Sequence, residues 1–403
     1  MTSLRLASLV VALGLLAPRA LAQAPAASPY RRAGEQPLEF RGPGREVKEP
    51  EVTEVVLGWF GPDDPDHPDF GEFWRGAVLG LEAENATGGY RGVPFRMVAA
   101  WSESPWHAGI GRLTRLIYDR QAWAVIGGVD GATTHLAEQV ALKARLPLLS
   151  PGSTDPTVNC AQVPWLLTAL PPDDRQAKVL IAELRREVGD GRIAVAAAVD
   201  HDSHATLGTF RRELATQSLV PATLVEFDPA EPDAGPLAAR LVDSEPAALL
   251  VIAPARPAAG LVSELRRRGF GGTIFGSASL GRNAFVRAAG PAAEGVLAPL
   301  LHEASPGWDA FARVYEARWG TAMAPDDAAA QAYDAVRYLA SALRVTGLNR
   351  ARLADALRAL APWSGAAGEL RFDALGRNQR EVRLARWRAG ARVAVEDAIP
   401  SAR

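Results

Sequence analysis

The chain has 403 residues, a formal net charge of -2 and 48% apolar side chains. Because a single hydrophobic core rarely grows beyond about 250–300 residues, this length predicts more than one lobe. The balanced charge and the lack of a basic stripe in the sequence exclude a typical nucleic-acid-binding protein.

The first residues have the features of a secretory signal peptide. Arg5 precedes the apolar run Leu6–Leu16, which is too short to span a bilayer, and Ala20-Leu21-Ala22 is a small-residue cleavage motif. We expect residues 1–22 to be removed on export, residues 23–51 to form a disordered leader, and the mature chain not to insert into the membrane. The single cysteine, Cys160, excludes an internal disulfide.

From residue 52 onward, apolar runs alternate with helical patterns. Val52–Phe60 predicts a strand, and after an acidic, proline-rich loop a helix is predicted over Gly71–Asn85. Phe95–Trp101 predicts a second strand and Trp106–Arg120 a second helix. This alternation is typical of a doubly wound parallel sheet.

The stretch Trp123–Thr157 predicts a strand, a turn, a helix, a second strand and a second turn. In open α/β sheets, turns at the carboxyl ends of strands bind ligands. Backbone N–H groups and small hydroxyls in both turns suit an anionic or polar group of a ligand. The candidate binding residues are Gly131, Thr133 and Thr134 in the first turn, and Gly152, Ser153 and Thr154 in the second.

A second series of strands and helices is predicted over residues 173–301, so the chain contains two α/β halves. The remainder is mainly helical and ends in two apolar segments with strand character. Helices are predicted over 308–319, 326–344 and 351–360, and a closing hairpin joins 368–373 to 380–388.

Short motifs with a common order and spacing are spread over residues 52–395. They are Phe70-Gly71-Glu72, Asn85-Ala86-Thr87-Gly88-Gly89, Ala124-Val125-Ile126-Gly127, the run 146–154, Ala293-Glu294-Gly295-Val296, Tyr333-Asp334-Ala335-Val336 and the run 368–373. Together they resemble the periplasmic binding proteins of type I, in particular the leucine/isoleucine/valine-binding type that serves ABC transporters.

The resemblance implies an α/β fold with two doubly wound parallel-sheet lobes joined by a three-strand hinge. The ligand would bind between the lobes and close the hinge. The expected boundaries are 52–172 plus 302–360 for the first lobe, 173–301 plus 361–395 for the second, and 396–403 for a tail.

The resemblance also implies a function without catalysis and without a cofactor. We expect a monomeric periplasmic protein that captures a small polar molecule and presents it to a membrane ABC permease. Two alternatives stay open: a periplasmic sensor that signals to a receptor in trans, and a secreted α/β enzyme that uses acidic and histidine-containing loops.

Four positions match the ligand contacts of amino-acid binders in this family. Phe70 stands where an aromatic side chain lines the ligand, and Gly152 and Thr154 match the contacts of the second turn. Asp173 matches an acid near the ligand ammonium.

Three other positions depart from that pattern. Gly131 replaces a serine that contacts the carboxylate, His204 stands where a tyrosine is usual, and Ala278 replaces the acid that pairs with the ammonium. An unpaired buried charge costs several kcal/mol. We therefore do not expect a branched-chain amino acid as ligand.

Histidines and tryptophans in the predicted cleft loops offer further candidates. We expect no metal site, and if a metal were bound, the candidate ligands would be His67, His201 and His204. Trp106 follows a predicted cleft loop and is a candidate aromatic contact. Ser150-Pro151-Gly152-Ser153 lacks the spacing of a nucleophile elbow, which agrees with a binding protein rather than a hydrolase.

Overall fold

The computed structural model describes residues 44–230, 233–320 and 324–395. The predicted signal peptide, residues 23–43 of the predicted leader and the predicted tail lie outside the described residues. The described chain folds into two α/β lobes, each built on one large sheet. This confirms the predicted fold class.

The first lobe contains five parallel strands that are mostly buried. They are β1 (Val55–Phe60), β2 (Phe95–Ala99), β3 (Ala124–Gly127), β4 (Leu148–Ser150) and β5 (Leu166–Thr168), in the spatial order β2-β1-β3-β4-β5. The connecting helices are α1 (Gly71–Ala86), α2 (Ile110–Tyr118) and α3 (Gly131–Ala144). Helices on both faces explain why β1, β3 and β4 are continuous apolar runs rather than alternating ones.

The second lobe repeats this architecture. Its parallel strands are β6 (Ile193–Ala198), β7 (Thr223–Phe227), β8 (Ala248–Ile252), β9 (Thr273–Gly276) and β10 (Leu297–Leu300). Its helices are α4 (Asp173–Val188), α5 (His201–Thr216), α6 (Ala234–Asp243), α7 (Ala255–Arg267) and α8 (Asn283–Ala289).

After β10 the chain returns to the first lobe. There it forms α9 (Pro306–Trp319), α10 (Asp327–Thr346), α11 (Arg350–Ala359) and the short antiparallel pair β11 (Trp363–Ser364) and β12 (Glu369–Leu370). Helix α10 packs closely on α1: a Cβ atom at Gly76 would lie 1.9 Å from the backbone oxygen of Ala329. Glycine at position 76 therefore lets the two backbones approach.

The chain ends in the second lobe with β13 (Arg383–Arg388) and β14 (Ala391–Ala394). The complete sheet has the order β14-β13-β10-β9-β8-β6-β7, with β13 and β14 antiparallel to their neighbours. The chain thus crosses between the lobes three times, at residues 169–172, 301–305 and 371–382. These three crossings form the predicted hinge.

The structure differs from the predicted closing hairpin. The segment 368–373 pairs with β11, and β13 pairs with β14 through a turn in which Ala389 and Gly390 both have positive φ, 48° and 78°. Two successive positive φ angles suit the tight turn of a hairpin. Trp363, Leu370 and Phe372 pack against the core of the first lobe, so that lobe extends beyond residue 360.

Residues 44–51, which the sequence assigned to a disordered leader, are held against the first lobe. The Nδ2 atom of Asn349 donates hydrogen bonds to the backbone oxygens of Gly44 and Val47, at 2.9 and 3.1 Å. Arg45 pairs with Asp355. Of the described helices, none has both the length and the apolar character that crossing a membrane requires.

Candidate functional site

A cavity of about 350 Å³ lies between the two lobes. It is lined by the loops that follow β3, β4, β6, β8 and β9 and by the first turns of α1, α4, α5 and α10. These loops meet because the carboxyl ends of both parallel sheets face the cleft, the usual ligand position in such sheets. A small organic molecule is the class of ligand that a cavity of this size accepts.

A larger groove of about 550 Å³ lies elsewhere, on the outer edge of the first lobe. It is lined by β2 residues 98–99, Ala100 and α2 side chains such as Arg112 and Arg115. Its lining comes from the first lobe, and of the described strands β2 alone ends at it. The interlobe cavity is therefore the candidate site.

Five of the sequence-predicted residues line the cavity. They are Phe70, Gly152, Thr154, Asp173 and Ala278. Asp173 is buried at the start of α4, where its Oδ2 atom accepts a hydrogen bond of 2.6 Å from the Thr206 hydroxyl. Its backbone N–H donates to the Thr154 oxygen at 2.7 Å and so fixes this acid beside the second turn.

The remaining predicted residues of the two turns stabilise the turns themselves. The Thr133 N–H donates to the Asp130 carboxylate at 2.7 Å, which caps α3. The Thr134 and Ser150 hydroxyls are hydrogen-bonded to each other at 2.9 Å. The Ser153 N–H donates to Ser150 Oγ at 3.1 Å. These predicted residues do not line the cavity themselves; they fix the conformation of the two turns that do.

Trp106, His204 and His67 lie outside the cavity lining. The Trp106 side chain is 57% exposed, and His204 is exposed on α5. His67 supports a lining residue: its Nδ1 atom accepts a hydrogen bond of 3.1 Å from the Phe70 N–H, and the two rings stack.

A carboxylate from the second lobe occupies the N-terminus of α3. The Asp202 Oδ1 atom accepts a hydrogen bond of 2.6 Å from the Gly131 N–H, and Oδ2 accepts one of 3.2 Å from the Ala132 N–H. A Cβ atom at position 131 would lie 2.5 Å from Asp202 Oδ1. Glycine, at the position where the resemblance implied a serine, therefore leaves room for the protein's own carboxylate at this helix N-terminus.

The described cavity lining is strongly acidic. Its charged residues are one arginine, Arg282, and the aspartates at 69, 130, 173, 200, 202 and 327. Asp327 is neutralised within the protein by Arg392 and His302, at 2.6 and 2.5 Å. Burial alone would raise the Asp327 pKa, but the Arg392 and His302 charges lower it.

Three other aspartates have elevated pKa values because burial disfavours their charged forms. Burial raises the pKa of Asp173 to about 7, although hydrogen bonds from Thr206 and Thr154 oppose the shift. Burial also raises the pKa of Asp130, and burial followed by repulsion from Asp130 raises that of Asp202. A positive charge in the cavity would favour ionisation of these groups.

Three residues of the cavity lining have polar atoms without hydrogen-bond partners. Among the described residues, Asp69 Oδ1, Asp200 Oδ2 and Arg282 Nε are buried and make no hydrogen bond, and all three residues line the cavity. The Arg282 guanidinium lies 4.7 Å from the Phe73 ring centroid and 5.6 Å from that of Phe70. Buried polar groups are normally paired, so these atoms are available to a ligand.

A second cluster lies beside the cavity and joins both lobes. The Nε2 atoms of His135 and His201 lie 3.1 and 3.2 Å from Asp155 Oδ2. Hydrogen bonds to Asp155 and Glu138 raise the pKa of His135 to about 9. Burial would raise the Asp155 pKa, but the hydrogen bond with His135 lowers it. Of the predicted metal candidates, only His201 belongs to this cluster.

A family model described as periplasmic binding protein matches residues 54–392. The chain belongs to that family. Its family and fold are those of exported, substrate-binding proteins. The resemblance inferred from the motifs is thus confirmed.

Solved structures of other periplasmic binding proteins share the fold. The branched-chain amino acid transporter substrate-binding protein LivJ of Streptococcus pneumoniae, in complex with isoleucine, has a TM-score of 0.79 and 20% identity, covering 86% of this chain and 99% of that one. A solute-binding protein of R. palustris, in complex with benzoate, has a TM-score of 0.76 and 17% identity, covering 87% and 98%. At these identities the likeness shows the fold alone.

A sequence relative of this periplasmic binding protein is the "Amino acid binding protein" of Pseudomonas aeruginosa PAO1. The two are 31% identical over 129 residues, which are 32% of this chain and 34% of the relative. The likeness therefore spans about a third of that protein's length.

Proposed function

We propose that this periplasmic binding protein captures a small organic cation in the periplasm and delivers it to an ABC importer. The observation that carries the proposal is the acidic lining, which contains one arginine and, besides the internally paired Asp327, five aspartates. Bringing a positive charge between these carboxylates offsets the cost of removing it from water. The family and the signal-peptide pattern support export, and relatives that serve ABC transporters support delivery to an importer.

Asp202 argues against a ligand held by its carboxylate at α3. The ligands in the two complexes named above, isoleucine and benzoate, both carry a carboxylate. In this chain, Asp202 already accepts the N–H groups of Gly131 and Ala132, and Asp130 lies at the same helix end. A ligand carboxylate there would have to displace Asp202 from these two N–H groups, so a branched-chain amino acid is disfavoured.

The lining also provides contacts for the carbon part of an organic cation. Phe70 and Phe73 form an aromatic wall, and Leu170, Ile252 and Ala253 form an apolar one. Asp69 and Asp200, which both line the site, each have one buried carboxylate oxygen without a hydrogen-bond partner. A primary ammonium or a guanidinium suits an acidic lining of this kind, because each carries several N–H donors.

The test is a binding screen with the mature protein. We expect 1,4-diaminobutane, agmatine or another amine or guanidine to raise the thermal midpoint, whereas leucine and benzoate do not. At a ligand concentration of 100 times Kd the stabilisation is about 2.7 kcal/mol. Leucine binding as tight as that of the best cation would overturn the proposal.

Asp200→Asn is the matched variant for this screen. The Asp200 Oδ1 atom caps α5 by accepting from the Ser203 N–H at 3.1 Å, and the amide oxygen can keep that bond. The unpartnered Oδ2 atom becomes an uncharged NH2 group. A hydrogen bond to a charged group is worth about 1.5–3 kcal/mol, so we expect about 10- to 100-fold weaker cation binding. Asp63→Asn, in an exposed loop position, is the control.

A further inference from the structure

We propose that His135, Asp155 and His201 bind a divalent transition-metal ion that bridges the two lobes at the edge of the cleft. His135 lies on α3 and Asp155 follows β4, both in the first lobe, whereas His201 begins α5 in the second. The three possible ligand atoms lie within 4.8 Å of one another. This site is separate from the solute cavity and goes beyond the proposed capture of a cation.

The distances already approach those of a coordination sphere. Ligand atoms bound at about 2.0–2.1 Å to a tetrahedral zinc ion lie about 3.3–3.4 Å from one another. The His135 Nε2 and His201 Nε2 atoms lie 3.1 and 3.2 Å from Asp155 Oδ2. Small side-chain movements would therefore place an ion between the three atoms without a change in the backbone.

Neighbouring groups orient two of the three ligands. The His135 Nδ1 atom lies 3.4 Å from Glu138 Oε2, which places one N–H there, so a metal ion would bind at Nε2 in place of the proton that faces Asp155. The Asp155 Oδ1 atom accepts hydrogen bonds of 2.7 Å from the Thr157 N–H and hydroxyl, so Oδ2 faces the histidines. Support of this kind from an outer carboxylate is typical of histidine ligands in metal sites.

Exposure and donor type indicate which ion fits. The Asp155 side chain is 1% exposed and therefore fixed, whereas that of His201 is 46% exposed, so an ion can enter from solvent. Two imidazoles and one carboxylate favour zinc, copper, nickel or cobalt over magnesium and calcium, which prefer oxygen ligands. Water, or the Thr157 hydroxyl 3.2 Å from His135 Nε2, can complete the coordination.

His204 supplies a matched control on the same helix. It lies one turn beyond His201, is exposed, and is not among the three clustered ligands. Replacing either histidine with glutamine removes an imidazole from the surface of α5. Because both positions are exposed, both variants should fold, which circular dichroism verifies.

The experiment titrates Zn²⁺ into the untagged mature protein by calorimetry, with Mg²⁺ as a negative control. We expect one zinc ion per chain, at least tenfold weaker binding in His201→Gln, and unchanged binding in His204→Gln. With Co²⁺, a visible d–d absorption band should appear in the wild type and be lost in His201→Gln. Absence of stoichiometric Zn²⁺ binding would show that the cluster is only an ion pair and would overturn the proposal, as would equal losses in both variants.

A cavity variant separates this proposal from the proposed function. Asp200→Asn should weaken cation binding and leave Zn²⁺ binding unchanged, because Asp200 is not among the clustered ligands. His201→Gln should retain an intact cavity lining, since His201 does not line it. If the solute screen fails, the zinc titration can still be interpreted. If no zinc binds, the solute screen can still be interpreted.

Discussion

At the scale of single residues, Gly131 and Asp202 depend on each other. The glycine has no side chain, and this lets a carboxylate from the opposite lobe reach two backbone N–H groups at the start of α3. These hydrogen bonds satisfy N–H groups that have no partner within the helix, so the contact both caps α3 and joins the two lobes. The same contact removes an anion position from the ligand cavity.

Gly131→Ala tests this dependence. The new Cβ atom would lie 2.5 Å from Asp202 Oδ1 and 2.9 Å from Asp155 Cβ, so we expect a loss of about 1–3 kcal/mol in the free energy of unfolding, measured with urea. Adding Asp202→Ala should recover part of this loss by removing the first clash. Gly208→Ala on α5, where a Cβ atom meets nothing within 4 Å, is the control and should be neutral or stabilising. A Gly131→Ala protein as stable as the control would contradict the contact.

Asp173 should make both stability and solute binding depend on pH. Its pKa is about 7 in the folded protein against 3.8 ordinarily. Between these values the unfolded chain has lost the proton and the folded chain keeps it, so this group's contribution to stability falls as pH rises from about 4 to about 7.

Binding of a cation should show the opposite trend, because the ionised Asp173 carboxylate attracts it. We expect affinity to rise with pH by up to about tenfold per unit and to level off above about pH 7. Calorimetry in buffers of different ionisation enthalpy should detect proton release below that pH. Asp173→Asn should flatten the profile, and Asp63→Asn should not; a sloping profile in Asp173→Asn would assign the titration to another group.

At the scale of elements, the contact between α1 and α10 should tolerate no added side-chain volume. Gly76→Ala would bring a Cβ atom to 1.9 Å from a backbone oxygen of α10, and a backbone cannot move aside as a side chain can. We expect a loss of about 1–3 kcal/mol or more in unfolding free energy. Gly260→Ala on α7, with open space at its Cβ position, is the matched control. Equal urea midpoints for the two variants would contradict this packing.

The sequence patterns predicted the long elements and some of the short strands, but not all of them. The predicted strands 52–60 and 95–101 correspond to β1 and β2, and the predicted helix 326–344 to α10. Strand β5, with three residues, has too little sequence to show a pattern. Strand β14 follows a turn at Ala389-Gly390. The glycine in this turn is a sequence signal from which the hairpin of β13 and β14 could have been predicted.

The site was only partly predictable because its contacts join distant parts of the chain. Phe70, Gly152, Thr154, Asp173 and Ala278 could be placed from motifs, and the structure puts them in the cavity lining. Asp202 reaches Gly131 across 71 residues, and His201 reaches Asp155 across 46. Such contacts depend on how the two lobes face each other, which sequence periodicity does not encode.

At the scale of the molecule, polar contacts between the two lobes hold the cleft closed. The Arg287 guanidinium on α8 lies 3.0 Å from Glu72 Oε1 on α1, and the Asn283 N–H donates to Asp326 Oδ2 at 3.0 Å. Together with the Asp202 and His201 contacts, these bonds resist opening of the cleft. Solute release requires the lobes to separate, so the strength of these contacts should set the dissociation rate.

Arg287→Ala should therefore loosen the closed molecule. Glu72 is buried and keeps its hydrogen bond from the Tyr315 hydroxyl, so the first lobe should stay folded. Because Arg287 is partly exposed, we expect the lost bridge to be worth about 1 kcal/mol at most. This corresponds to solute dissociation up to about fivefold faster with little change in the association rate. Small-angle scattering of the unliganded variant should show a larger radius of gyration than that of Arg267→Ala, which removes an arginine paired with Glu264 within α7. Identical scattering from the two variants would mean that the remaining interlobe contacts alone keep the cleft closed.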